Sequence, residues 1–304
     1  MIRNIVDLGI FERKYLQIQQ GSGKPLKILR NEAVVSTGIL EELNTQTYLE
    51  ELQSQLPLLK KQWDLGNTPI ECLLPGSFFE YSIVGDEPQL ILETFLDSAL
   101  AASINKSLEH EGIEASFLGS GLTAIIEFLL RKAPKSPSHD WILLVLTYSC
   151  TYRVLIRSGR ILDFQISYEC SARILDKLVS SEWKVELNQV PSLKNDELIL
   201  LPVFRREQSD VEGFQHLKPY FEALCNFIQA DIPILENPDG LSEWEILLSD
   251  GGASLRNMNS FLEGAIGFPT RNLDHAFFSI ALENPGESSD LSIRFNPLLC
   301  HASL

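Results

Sequence analysis

The chain has 304 residues, of which 44% are hydrophobic and 22% charged, the balance of a globular protein with a sizeable core rather than of a disordered one. Its 41 acidic against 25 basic residues leave a formal net charge of −16. That charge repels phosphate backbones and anionic lipid headgroups, and it excludes nucleic-acid reading through a basic face and membrane attachment through a polybasic patch.

Taken in chain order, the first half opens with three short strands. Ile2–Leu8 is apolar and closes at Gly9; Tyr15–Gln19 alternates; the turn Gly21–Pro25 leads into Leu26–Leu29, with Val34–Gly38 as a connection. A helix follows, with Leu49, Leu52 and Leu56 on one stripe and Pro57 near its end. Ile70–Leu74 is a strand stopped by Pro75-Gly76. Leu96, Leu100, Ile104 and Leu108 mark a helix ending at Gly112, and Ser120 caps a further one with Leu122, Ile125, Ile126 and Leu129 on its core face. Lys132–His139, with two prolines, reads as a linker.

After the linker the opening pattern returns. Trp141–Leu146, Thr151–Ile156 and Ile161–Ser167 are strands, with Gly159 turning the last pair. Leu198–Phe204 reads as a buried strand. A helix carries Tyr220, Leu224, Phe227 and Ile228, with Pro219 in its first turn. Pro233 and Asn237–Gly240 form a loop, Glu245–Ser249 a strand, and Leu255, Met258, Phe261, Leu262 and Ile266 a final helix stopped by Gly267. A three-strand meander thus opens each half, which predicts an α/β protein with an internal duplication. The expected lobes are 1–135, with a reduced insert at about 75–112, and 136–304, which includes a C-terminal return.

Five scattered cysteines (Cys72, Cys150, Cys170, Cys225, Cys300) include no C-x-x-C pair and read as reduced thiols. No apolar run reaches the roughly 18 residues of a membrane span, and Met1-Ile2-Arg3-Asn4 does not open a signal peptide. The expectation is a soluble cytoplasmic chain, or the soluble part of something longer. The five histidines have no metal spacing, and Asn105-Lys106-Ser107 is a chance acceptor triplet. There is no Gly-Lys-Ser/Thr loop and no Gly-x-Ser-x-Gly elbow.

Two motifs bear chemistry. Asp250-Gly251-Gly252-Ala253 joins a strand to a helix, where glycines let backbone approach a ligand and a helix N-terminus offers free N–H groups. Asp7-Leu8-Gly9 ends the first strand in a tight hairpin able to hold a metal-bound phosphate. Each alone also suits an ordinary turn.

Set in a duplicated α/β chain, these motifs resemble the actin-like (ribonuclease H-like) ATPase superfamily, and within it the bacterial PilM, GspL and FtsA group of pilus and type II secretion assembly platforms. Asp7-Leu8-Gly9 stands at the first phosphate hairpin and Ile142–Gly159 at the second. Gly38-Ile39-Leu40, Leu74-Pro75-Gly76-Ser77 and Glu111-Gly112-Ile113 resemble further family segments. Leu247–Gly252 resembles the adenosine turn, and Leu291–Leu298 an Ile-Asn-Leu-Leu-Pro segment that lies before a membrane helix or at the head of a small partner.

The departures from the family pattern fall on the phosphate hairpins. Ile10 and Phe11 follow Gly9 where an active member keeps hydroxyl or basic groups, and Thr147-Tyr148-Ser149-Cys150 stands where the second hairpin keeps Asp and Gly. The resemblance therefore implies a non-catalytic platform peripheral to the inner membrane. Its partners would be an assembly ATPase and a bitopic membrane protein, it has no resident cofactor, and a homodimer is compatible with it. Arg205 and Arg206 are the candidate partner contact. The alternative is an ATP-binding protein, with Mg²⁺, in which Asp7, Gly9, Asp250, Gly251 and Gly252 hold the nucleotide. An actin-like small-molecule kinase has no candidate base in this sequence.

Overall fold

The structure, a computed structural model, describes residues 1–21, 25–36, 44–66, 68–85, 91–131, 139–187, 189–190, 193–194, 198, 200, 214–230, 243–273 and 295–304. The first lobe contains β1 (Ile2–Asp7), β2 (Glu12–Gln19), β3 (Lys27–Val35), α1 (Thr45–Trp63), β4 (Ile70–Leu74), β5 (Phe79–Val84), β6 (Ile91–Leu96), α2 (Ser98–His110), β7 (Ala115–Ser120) and α3 (Gly121–Arg131). The second contains β8 (His139–Leu146), β9 (Thr151–Arg157), β10 (Arg160–Ser167), α4 (Ala172–Trp183), α5 (Phe214–Gln229), β11 (Glu243–Ser249), α6 (Met258–Ile266) and β12 (Thr270–Asn272). The last helix, α7 (Asn296–Ser303), returns to the first lobe.

The duplication expected from the sequence is present in the topology. One five-stranded sheet runs β3-β2-β1-β4-β7 and the other β10-β9-β8-β11-β12. In each, the first three strands form an antiparallel meander and the last two add in parallel to the first. A parallel strand covered on both faces must be apolar throughout, and β8 obeys. Leu143 and Val145 face a core shared with the first lobe, while Ile142, Leu144 and Leu146 face α4, α5 and α6.

Side chains from both sheets meet in the middle. Ile5, Leu16 and Leu73 of the first sheet, Leu143, Val154 and Leu247 of the second, and the apolar faces of α3 and α7 form one continuous core. The first sheet's other face, with Val6, Tyr15 and Cys72, packs on α1 and α2. The order of layers is therefore α1/α2, sheet, α3/α7, sheet, α4/α5/α6. Gly121 at the start of α3 lets α7 come close, because a Cβ there would stand 3.0 Å from Pro297 Cβ.

Several expected boundaries shift. Val34 and Val35 belong to β3 rather than to a connection, because β2 begins at Glu12 and pairs with them. Pro57 lies well inside α1, which continues to Trp63; Leu59 and Trp63 keep the final turns packed, and Trp63 stacks on Tyr15 at 5.5 Å. Leu96 ends β6, and α2 starts after Asp97, whose Oδ1 accepts from the Leu100 N–H at 2.8 Å. Pro219 is interior to α5 rather than in its first turn. The insert between β4 and α2 holds a two-stranded hairpin, β5–β6. Lys132–Ser138, residues 201–204, the 233–240 loop, Gly38–Leu40, Arg205 and Arg206 lie outside the described residues. Among the described residues no helix is long and apolar enough to cross a membrane.

The C-terminal helix is tied to the first sheet by charge. Glu71 accepts two hydrogen bonds from Arg3, each 2.7 Å, and lies 2.8 Å from His301 Nε2, while Arg3 also donates to Ala302 O at 3.1 Å. Burial opposes the Glu71 charge, but Arg3 and His301 outweigh it and lower its pKa from 4.5 to about 2. A carboxylate lowered in the folded state stabilises above its unfolded pKa and loses that contribution as pH falls toward the folded value. Glu71→Gln should cost about 2–3 kcal/mol at neutral pH, a deficit that shrinks as pH drops from 4.5 toward 2. Urea unfolding at a series of pH values measures it, and a pH-independent deficit would remove the charge from the explanation.

Candidate functional site

The first hairpin is built by the end of β1 and the start of β2. Gly9 is required sterically, since a Cβ there would meet Glu12 O at 2.5 Å. The turn's carbonyls are tied from within the lobe. Fully buried Arg13 donates to Gly9 O and, at 2.9 Å, to Ile10 O; Tyr48 Oη donates to Leu8 O at 2.8 Å; and the Arg13 guanidinium lies 5.5 Å over the Tyr48 ring.

The second hairpin, between β8 and β9, is closed by Thr147, whose N–H donates to Cys150 O at 3.1 Å and whose hydroxyl donates to it at 2.6 Å. Two of its carbonyls receive the start of α4: Ala172 N–H donates to Thr147 O and Arg173 N–H to Tyr148 O, both at 3.1 Å. The first N–H groups of a helix are the ones left for an anion, and here the hairpin takes these two.

Between the two tips, Phe11 and Tyr148 stack with ring centroids 5.0 Å apart and planes 26° from parallel. Burial pushes the Tyr148 hydroxyl up to about 12, so it is neutral at physiological pH. The aromatic pair bridges the two hairpin tips, and neither ring donates a hydrogen bond through its face.

Beneath the stack lies a buried ion cluster. Lys14, on β2, is paired in register with Asp7 on β1. Its Nζ is 2.8 Å from Asp7 Oδ2 and 3.6 Å from Asp250 Oδ1 on the opposite lobe. Burial alone would lower the pKa of this ammonium, but the two carboxylates outweigh it and hold it above its ordinary value. Removing Lys14 from this cluster would leave its carboxylates without a counter-charge, at a cost of about 3–5 kcal/mol. A second buried pair, Lys194 Nζ with Asp176 Oδ1 at 2.5 Å, lines the same cleft.

Asp250 is held unusually. Its φ of 71° and ψ of −178° fall in a region that only glycine visits easily, and a side chain there costs about 1–3 kcal/mol. Its Oδ1 accepts from the Gly251 N–H at 2.7 Å. The following residues, Gly251–Ser254, form a 3₁₀ turn, and α6 starts only at Met258. The glycines therefore do not open the helix as the sequence suggested. Gly252 instead packs on β8, because a Cβ there would lie 2.7 Å from Leu146 Cβ and 2.9 Å from Leu146 O.

Asp7, Gly9, Asp250, Gly251 and Gly252, distant in sequence, thus line one cleft of about 140 Å³ between the lobes, below the ~300 Å³ at which small-molecule sites begin. Its carboxyl groups (Asp7, Glu12, Asp176, Asp250) outnumber its ammonium groups (Lys14, Lys194). No cluster of three or more His, Cys, Asp or Glu suited to a metal ion occurs among the described residues. Within the cleft, Lys14 lies between Asp7 and Asp250, Arg13 and Tyr48 hold the first hairpin's carbonyls, and the aromatic stack bridges the two tips. Sequence reading missed Lys14, Asp176 and Lys194. For Lys14 the signal was available, because a tight hairpin places residue 14 opposite residue 7; Asp176 and Lys194 meet only through tertiary folding.

Two lobes of one strand order, packed about a shared helical layer with a cleft at the hairpin tips, define the actin-like fold. No protein-family model matches the sequence, and no curated protein is significantly similar to it. Among solved structures the chain is similar to the PilM-PilN type IV pilus biogenesis complex, with a TM-score of 0.71, 12% identity, and 99% of this chain and 96% of that one covered. It is also similar to the ethanolamine utilization protein EutJ from Carboxydothermus hydrogenoformans (TM-score 0.57, 13% identity, 99% and 89% covered). A third is MreB5 of Spiroplasma citri bound to AMPPNP (TM-score 0.54, 12% identity, 97% and 95% covered).

Gly252→Ala tests the packing account of the Gly-Gly turn. Overpacking against Leu146 should destabilise by about 1–3 kcal/mol in urea unfolding, whereas a glycine kept open for a ligand would accept the methyl group at little cost.

Proposed function

We propose that the chain is a non-catalytic docking platform of a type IV pilus or type II secretion assembly, placed at the cytoplasmic face of the inner membrane through its partners. These would be an assembly ATPase and a bitopic membrane protein. The likeness in fold to PilM, solved together with PilN, supports the class of system. The observation that carries the non-catalytic part is the Phe11–Tyr148 stack above the Lys14 cluster. Phosphoryl chemistry needs donors and a placed carboxylate free to act on a phosphate or its metal, and in this cleft Asp7 and Asp250 lie against Lys14 while Asp176 is paired with Lys194.

A second reading has its own support. Lys14 and Lys194 line the same cleft as Gly251 and Gly252, and two ammonium groups that let go of their carboxylates would meet a polyphosphate. In that case nucleotide would gate partner binding.

Calorimetry of the full chain with Mg-ATP separates the two. Ligand at ten times Kd raises stability by about 1.4 kcal/mol, so an unchanged Tm at millimolar Mg-ATP is the expected result, and a clear rise would establish the second reading. Affinity purification from the native cell should recover a bitopic membrane protein together with an assembly ATPase. Recovery of neither would remove the platform.

A further inference from the structure

We infer that the Lys14 ammonium is a built-in cation latch that holds the two lobes closed without a bound ligand, an inference that rests on the non-catalytic reading above. The lobes present one carboxylate each in the cleft, buried Asp7 from the first and part-buried Asp250, its side chain 18% exposed, from the second. Two such groups repel across a dry gap unless a positive charge stands between them. A dissolved divalent cation is one solution. This chain carries another, an ammonium on the neighbouring strand, 2.8 Å from one carboxylate and 3.6 Å from the other, with a side chain only 6% exposed.

Four features make the arrangement specific. The β1–β2 register fixes Lys14 opposite Asp7. The rare backbone conformation of Asp250, held by its bond from the Gly251 N–H, aims the second carboxylate back across the cleft. Above the ion cluster, the Phe11–Tyr148 stack joins the hairpin tips, so charge at the floor and aromatic contact at the rim act in the same direction. Pro75-Gly76 adds a close cross-lobe approach, since a Cβ on Gly76 would stand 2.6 Å from Tyr152 Oη. Closure thus becomes a property of the sequence, and a partner meets the lobes already in one relative position.

Hydrogen–deuterium exchange of the full chain at the two hairpin tips, residues 8–11 and 147–150, reads closure directly. The wild type should be protected equally in EDTA, in millimolar MgCl₂ and in Mg-ATP. Lys14→Met leaves two carboxylates with no ammonium, so exchange at both tips should rise about tenfold or more, and MgCl₂ should restore protection by supplying the missing charge. Asp250→Asn leaves Lys14 paired with Asp7, so this variant remains folded even if Lys14→Met does not; exchange at 147–150 should rise, with no response to MgCl₂. Unchanged exchange in Asp250→Asn, or wild-type protection that requires MgCl₂, would overturn the latch alone. Wild-type protection or Tm that increases with Mg-ATP would overturn the non-catalytic reading as well.

Discussion

The helical layer formed by α3 and α7 is the constraint on which the rest of the molecule depends. Each sheet has two apolar faces to bury, and the inner face of each is covered mainly by this layer and by the opposite sheet. A helix pair shared in this way must lie close to both sheets. Gly121 admits Pro297, and buried Asn296 donates to Leu273 O at 2.8 Å and to Ser249 Oγ at 3.2 Å at the end of β11. The far end of α7 is fixed to the first sheet through His301, Glu71 and Arg3. One short helix is therefore anchored to both lobes, which sets the distance between the hairpins at the cleft mouth.

That distance decides what the cleft can be. With the lobes drawn together by a common core, the hairpin tips meet and their side chains must be compatible with each other before they are compatible with any ligand. Phe11 and Tyr148 satisfy this by stacking, and Asp7 and Asp250 satisfy it through Lys14. Buried ion pairs contribute little net stability compared with well-packed apolar groups, but they penalise alternative arrangements strongly. A lysine placed between two lobes is accordingly better understood as fixing their relative position than as adding to overall stability. The excess of carboxylates in the cleft follows the acidity of the whole chain.

The architecture could be read from the sequence because it rests on periodicity. The paired meanders, the apolar run at Trp141–Leu146 and the stripes of α2 and α3 all reappear as elements. The cleft was legible in part. Asp7, Gly9 and Asp250–Gly252 were singled out as local motifs and do come together. What could not be read was the relation between lobes, because it depends on contacts far apart in the chain. Lys14 looks like an ordinary strand lysine until Asp250 is brought within 3.6 Å. Likewise Gly252 looks like a ligand-binding glycine until Leu146 is found where its side chain would be. The partner-like segment Leu291–Leu298, of which residues 291–294 lie outside the described residues, shows the same limit. Its likeness to a partner-facing peptide is local, whereas the fold buries Phe295, Asn296, Leu298 and Leu299 in the central layer.

Burial of that segment bears on how the platform proposed above would work. A docking peptide must be released to be bound, but residues 295–299 lie in the layer that unites the sheets, and withdrawing them would expose the inner face of both. The cost of that exposure, at roughly 25 cal/mol per Å² of apolar surface, falls on the whole domain rather than on a hinge. Partner binding that leaves the fold intact must then use surface outside this layer, such as the exposed face of the β5–β6 hairpin, where Ile91 and Phe95 stand 61% and 54% exposed. A protein whose lobes are joined through their core, and whose cleft is filled by its own side chains, has its remaining freedom at the periphery. In the proposed platform role it would present that periphery in one fixed geometry.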